Sequence, residues 1–445
     1  MRALESLLIF TMVTAICLPF IVQPSNASST IYIKADGTVE PDTAPISTID
    51  KKTYTFIGNA NDEIVVERSN IIIDCNGHII EGSGTGNGFT LYDVTNVTIR
   101  NGNIRNFQYG IYLESASHNF IHGNNISANS YDGIAVCFSS DNNEIANNNI
   151  ENNGWFGIGI YYSNSNTITR NKITNNNDGI WLYYALNNTI SANSISTNSE
   201  HGIQLYYTSS NNIFHNSFTN NAFQVYTETS VNIWDNDYPS GGNYWSDYQG
   251  ADSNGDGIGD TPYTIDENNQ DRYPLMKPWT NIAILNTSPS KTVVGEGTTL
   301  YVYASVQNQG WNTETFNITI YANTSVIETC ELTIRSGAVT ILTFTWNTSG
   351  FVKGSYTLRA YTEPIQGETD KHDNAFEYGF VLVTIAGDVT GEIWVDMLDI
   401  SILIDKFMSS PTHPLWDPNC DVNDDQSVDM ADISIAIDNF MREDP

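Results

Sequence analysis

A chain of 445 residues with 51 Asp and Glu against 18 Lys and Arg carries a formal charge of −33 at pH 7. No basic stripe is available to displace counterions, so nucleic acid and anionic membrane surfaces are excluded as partners, whereas multivalent cations and neutral or calcium-bridged ligands fit. The length allows two to four domains.

The chain opens with Arg2, an apolar run from Leu7 to Val22 and small residues at Ser25-Asn26-Ala27. That run is too short to span a membrane and reads as an export signal, residues 1–27, cleaved after Ala27. No later stretch reaches the apolar length of a membrane span, so the mature chain is expected to be secreted without a transmembrane anchor. Cys75, Cys137, Cys330 and Cys420 are scattered too widely for a disulfide framework and read as mostly buried free thiols. Sequons at Asn96, Asn125, Asn187, Asn286, Asn317, Asn323 and Asn347 permit a glycoprotein wherever the host modifies exported chains.

From about Val94 to Tyr238 one unit recurs, written N-x-I-x-x-N-x-I. Asn119, Ile121, Asn124 and Ile126 form one copy and Asn143, Ile145, Asn148 and Ile150 the next, with later copies at Asn166, Asn188 and Asn211. The anchors step by 24, 23, 22 and 23 residues. Each copy runs on to a second strand beginning Gly-Ile, at Gly110, Gly133, Gly157, Gly179 and Gly202. Strand-period alternation, two short strands per unit and Asn or Gly turns describe a solenoid of parallel strands. The fold class is therefore mainly β, led by a right-handed parallel β-helix over residues 28–276, with residues 28–69 as its cap. Its Ile residues would stack into a core, and Asn124, Asn148, Asn171, Asn193, Asn216 and Asn236 would form one hydrogen-bonded corner ladder.

Alternation after each Gly-Ile points Tyr112, Ala135, Gly159, Trp181, Gln204 and Gln224 outward, with Glu114, Cys137, Tyr161, Tyr183, Tyr206 and Tyr226 as a second outward column. With coils about 4.8 Å apart, Tyr161, Trp181, Tyr183 and Tyr206 would line a flat exposed strip suited to stacking on sugar rings, which makes them the candidate substrate-binding residues. Stacking for strand stability alone is the competing reading. Immediately before the glycines stand Tyr109, Asp132, Phe156, Asp178 and His201. Asp132 and Asp178 are two coils apart, near the roughly 6.5–9.5 Å separation of carboxylates in inverting glycosidases. Asp132, Asp178 and His201 are thus the candidate catalytic acid/base set, against an ordinary Asp-Gly turn role.

After the coils come GGNYWSDY (Gly241–Tyr248), ADSNGDGIGDTPY and DRYPLM (Asp271–Met276). Coils and terminus together resemble NosD-like copper-binding β-helix proteins of the PbH1 (CASH) repeat type, widespread among archaeal secreted proteins. Within this terminus Asp252, Asn254, Asp256, the Ile258 carbonyl and Asp260 have calcium-loop spacing, with Gly257 at the sharp turn and Asp266 as the expected last ligand. Its expected role is to staple the final cap. The resemblance also implies a metal-delivery protein. Yet residues 28–275 hold no Met, and His78, His118, His122, His201 and His215 share no chelating spacing, so copper(I) lacks its soft ligands.

Between Pro278 and Ile385 longer alternating strands such as TLYVYASVQNQG and GSYTLRAYTEP suggest an Ig-like β-sandwich of about seven strands over residues 281–385. It resembles the CARDB family, and a spacer is its expected role.

The end of the chain writes one segment twice: VDMLDISILIDKFM at Val395–Met408 and VDMADISIAIDNFM at Val428–Met441, 33 positions apart and identical at 11 of 14 places. An acid-rich loop precedes each copy. The first offers Asp388, Thr390, Glu392, the Trp394 carbonyl, Asp396 and Asp399, and the second Asp421, Asn423, Asp425, the Ser427 carbonyl, Asp429 and Asp432. Oxygens at loop positions 1, 3, 5, 7, 9 and 12 wrap a hard cation, so Ca2+ is the expected cofactor. Fourteen Asp and Glu against two Lys and Arg in residues 386–445 make folding without cations costly. The pair resembles a type I dockerin, which implies a cohesin-domain partner on a cell surface or in an extracellular complex. Position 6, where Gly is usual, holds Ile393 in one loop and Gln426 in the other. A β-branched residue at positive φ is strained, so the first loop is expected to be distorted and the second to fill first.

These modules imply a secreted protein plugged into a cohesin partner and presenting its β-helix to polysaccharide. The alternatives are a glycoside hydrolase, lyase or epimerase, and a metal-delivery protein.

Overall fold

The computed structural model describes residues 30–441, so the expected export signal lies outside the described residues. Two compact units divide after Trp279.

From Ile71 to Glu228 each coil contributes three strands rather than two. The N-x-I-x-x-N-x-I stretch is itself two strands, for example Phe120–His122 and Asn125–Ser127, and the Gly-Ile strand is the third. The break falls where the residue before the second Asn turns left-handed, as at Gly123, Asn147, Arg170, Ala192 and His215. Three parallel sheets of ten, eight and ten strands result. Their registers align three apolar columns. Ile111, Ile134, Ile158, Ile180 and Ile203 form the first; Ile104, Ile126, Ile150, Ile173 and Ile195 the second; Ile99, Ile121, Ile145, Ile168, Ile190 and Ile213 the third. All are fully buried, each worth about 1.5–3 kcal/mol of apolar transfer.

Three corner ladders of asparagine replace the single one expected. In the ladder built on Asn124, Asn148, Asn171, Asn193 and Asn216, each side-chain oxygen accepts from the backbone N–H and the amide of the Asn one coil before. The last rung is Asn243, not Asn236, whose amide donates instead to Ser240. Parallel ladders run through Asn119, Asn143, Asn166, Asn188 and Asn211, and through Asn129, Asn153, Asn176, Asn198 and Asn221. The repeated glycines answer a different need. A Cβ on Gly133, Gly157 or Gly179 would come within 2.7, 2.7 or 2.4 Å of the next coil's glycine carbonyl. Close coil-to-coil approach, not a turn, fixes the Gly in Asp132-Gly133 and Asp178-Gly179.

The far end is closed by Trp245, stacked between Phe218 (4.5 Å) and Tyr263 (4.4 Å), while buried Asp271 accepts from Asn243 N–H and the Trp245 indole.

The second unit starts as a sandwich of eight strands in sheets of three and five, around Val302, Ile318, Trp346 and Val381. Two nine-residue helices follow, Met397–Asp405 and Met430–Asp438, each opened by a capping box, Asp396 with Asp399 and Asp429 with Asp432. The duplicated segments clasp each other reciprocally. Met408 N–H donates to the Val428 carbonyl at 2.8 Å, and Met441 N–H donates to the Val395 carbonyl at 2.9 Å. Val395, Leu403, Cys420, Val428, Ile433 and Ala436 make the small core between them.

Candidate functional site

The outward aromatic columns are not a flat exposed strip. Tyr161 is 0 %, Tyr183 5 % and Trp181 7 % exposed, and only Tyr206 of the four candidate binding residues is half-buried. The cause is ring-on-ring packing along the helix axis. Trp181 lies between Phe156 and Tyr206, with centroids 4.8 Å away on either side. A second ladder at the left-handed corner stacks Phe138, Tyr162, Tyr184 and Tyr207 at 5.7, 5.3 and 5.0 Å. Its signal was present in the sequence as aromatics following Cys137, Tyr161, Tyr183 and Tyr206. Stacked rings use their faces on each other and leave edges to solvent. The open flank consists of Tyr184, Phe223 and Tyr226, with Tyr206 and Tyr207 beside them.

The column before the glycines divides into two different environments. Asp132 is sealed: its Oδ2 accepts from the Tyr161 hydroxyl at 3.0 Å, and the Tyr161 ring fills the space over Gly159. Burial pushes this carboxyl up to about 7. Asp178 is also buried but holds His201 from outside the strand, accepting from His201 N–H at 2.8 Å and pairing with Nδ1 at 2.8 Å. The Gln204 amide stands 2.6 Å from the same Nδ1. One Nδ1 proton can serve both only if the Gln204 oxygen faces the ring, since amide orientation is an assignment. Nδ1 is then the hydrogen-bond donor of this cluster. Glu200, Asp178 and His201 place one ligand atom each within 4.8 Å of one another.

Two of the three loops share one hydrogen-bond pattern. In residues 252–260 Asp252 accepts from Asp256 and Gly257 N–H, Asn254 accepts from Asp256 N–H, and Asp256 accepts from Ile258 N–H. In residues 421–432 Asp421 accepts from Asp425 and Gln426 N–H, Asn423 from Asp425 N–H, and Asp425 from Ser427 N–H. Asp266, the expected last ligand of the first of these loops, accepts from Thr227 and Asn269 as a strut of the cap. The loop at 388–399 departs from this pattern: Asp388 accepts from Gly391 N–H where the other loops use their fifth residue, and the Thr390 hydroxyl donates to Asp399. Asp388 accepts from Ile393 N–H, and Asp399 accepts from Val389, Thr390 and Asp396 N–H, as Asp432 does from Val422, Asn423 and Asp429. Ile393 adopts φ +77° and Gln426 φ +69°, so both chains make the turn without glycine. Glu392, Asp396 and Asp399 bring carboxylate oxygens within 4.8 Å of one another.

A chain of parallel coils closed by an aromatic cap and followed by a sandwich defines a β-solenoid protein with an appended β-sandwich. Residues 36–250 match the family model described as periplasmic copper-binding protein (NosD), and residues 281–377 match the CARDB model, so the chain carries a NosD-like domain and a CARDB domain. No curated protein matches the chain in sequence. Among solved structures, the CARDB domain of a Pyrococcus furiosus protein in complex with di-metal ions is similar at 17 % identity, covering 24 % of this chain and 94 % of that one, with a TM-score of 0.22. A double mutant of the periplasmic alginate epimerase AlgG is similar at 20 % identity over 41 % of this chain, with a TM-score of 0.31. The match spans 52 % of that epimerase.

The side chains do not fit copper(I). Cys75 and Cys137 are buried within the solenoid, burial drives the Cys75 thiol far above its ordinary range, and no Met stands between residues 28 and 275. The nearest cluster, Asp178, Glu200 and His201, is an oxygen-rich set suited to harder ions.

Proposed function

We propose that this protein is an exported, calcium-binding modular protein that docks by its C-terminal module into a cohesin-type partner and presents the β-helix to extracellular polysaccharide. One observation carries the docking. Equivalent apolar side chains are left open in both copies of the duplicated segment: Met397 and Met430 are 65 and 58 % exposed, Ile404 and Ile437 59 and 54 %, Met408 and Met441 79 and 72 %. Repeated exposed apolar side chains mark an interaction surface, and the reciprocal clasp relates the two by a pseudo-two-fold, so one partner could engage either copy.

Calcium fits all three loops, because their carboxylates already accept backbone N–H groups in the turn that wraps a cation. No helix among the described residues is long and apolar enough to cross a membrane, and the matching solenoid family is described as periplasmic, in keeping with export. The polysaccharide would meet the open flank at Tyr184, Tyr206, Phe223 and Tyr226 rather than Tyr161, Trp181 or Tyr183, which support that flank from beneath.

The test is binding to a panel of immobilised cohesin domains in calcium. Asp in place of Met397 and Ile404, or of Met430 and Ile437, should each leave binding intact, and the fourfold variant should abolish it; binding by the fourfold variant would refute the docking. On glycan arrays, Tyr206→Ala with Phe223→Ala should remove whatever binding the intact chain shows.

A second reading, a polysaccharide hydrolase, lyase or epimerase, is favoured by the Asp178–His201 pair at 2.8 Å. Asp178 would fix the tautomer and His201 Nε2 would move the proton, with Asp132 confined to the layer beneath. Turnover of a polysaccharide that Asp178→Asn abolishes would establish it; a catalogue of polysaccharides left unchanged would dismiss it.

A further inference from the structure

We infer that Lys291, a residue of the sandwich, is the built-in cation of the second acid loop, lowering that loop's calcium affinity by its charge and pinning the loop to the sandwich. Its side chain is 2 % exposed, a rare state for lysine unless it is paired. The ammonium donates to the Asp421 carbonyl at 2.7 Å and stands 3.4 Å from Asp424 Oδ1. Asp424 occupies loop position 4, outside the ligand set, and its other oxygen is buried without a hydrogen-bond partner. The neighbouring backbone is held as well: Asn419 Oδ1 accepts from Thr292 N–H at 2.9 Å and Val293 N–H at 3.1 Å.

Among the described residues, loop 388–399 has no such cation. Its position 4 is Gly391, where a Cβ would come within 2.9 Å of Leu382 Cδ2, so an apolar side chain packs where the lysine reaches in the other loop. The two loops share the N–H bonds to their first and last acids and differ in this fixed positive charge. An ammonium held a few ångströms from the cation position repels an arriving divalent ion and neutralises Asp424 when none is bound. The charge argument rests on the calcium reading above; the pinning argument stands without it.

The experiment uses the full chain and calcium itself, with loop occupancy read from calcium-dependent amide exchange at residues 425–427. Lys291→Met keeps the stem and removes the charge, and should tighten calcium binding at this loop at least threefold. Asp424→Asn leaves the lysine uncompensated and should weaken it at least threefold. A strut without an electrostatic role would shift both variants the same way or neither, and either result overturns the charge assignment. Should the unaltered chain take up no calcium at this loop, the calcium reading fails there and with it the affinity claim. The pin is then decided in chelator by exchange at the Thr292 and Val293 amides. Protection that Lys291→Met reduces at least tenfold supports it, and unchanged protection overturns it.

Discussion

The corners of the β-helix bury neutral amides that satisfy one another from coil to coil, whereas the C-terminal module buries carboxylates around a small core. Asn171 illustrates the first arrangement: it receives two hydrogen bonds from Asn148 and gives one each to the Ile145 carbonyl, the Thr169 carbonyl and Asn193. Asp399 and Asp432 illustrate the second. Each is fully buried beside other carboxylates and accepts three backbone N–H groups. A ladder of amides is complete as written in the chain. A cage of acids would be completed by the cation proposed above.

The comparison breaks most visibly at a ladder rung. Asn171→Ala removes five hydrogen bonds and strands several buried partners, so the β-helix should lose about 3–5 kcal/mol, measured by denaturant unfolding, while calcium uptake by the C-terminal module is unchanged. Next in size is Gly159→Ala. The new Cβ would meet the Tyr161 ring at 2.7 Å and Asp132 Oδ2 at 2.8 Å, an overpacking worth about 1–3 kcal/mol, and thermal melting should fall accordingly.

A titration sharpens the contrast further. The Asp132 carboxyl is raised to about 7 by burial, so between the ordinary carboxylate range and pH 7 the folded state holds a proton that the unfolded state has released. Stability contributed by this group is therefore full at low pH and lost as pH rises through about 7. Asp132→Asn should flatten the fall of stability over that window, while an unchanged pH profile would contradict the burial of the pair. The smallest effect is expected in the acid loops. Ile393 sits at φ +77° with its side chain half open, so Ile393→Gly should stabilise the module by about 1 kcal/mol through relief of left-handed strain, seen as a higher melting temperature in calcium.

Much of this organisation was legible in the sequence. The Asn and Ile spacing gave the solenoid and one of its ladders because each coil must present the same group at the same corner. The third strand per coil was hidden, since a break made by one left-handed residue such as Arg170 or Ala192 leaves the apolar alternation almost intact. Outward direction was also legible for Tyr161, Trp181 and Tyr183, but exposure was not. Outward rings one coil apart cover each other, and Tyr161 folds back over Gly159, a contact set by side-chain rotation rather than by alternation. The acid spacing of the loops is local and so visible in the chain, while Lys291, 130 positions from Asp421, came into view only through the fold.

The most direct test of the account is amide exchange across the full chain in calcium and again after chelation. The expected result is collapse of protection in both helices, Met397–Asp405 and Met430–Asp438, and in loop 252–260, with the Asn-ladder coils from Val97 to Ile213 unchanged. Helices equally protected in both conditions would show that the acid cage closes on its own, and the calcium-organised docking module would have to be abandoned.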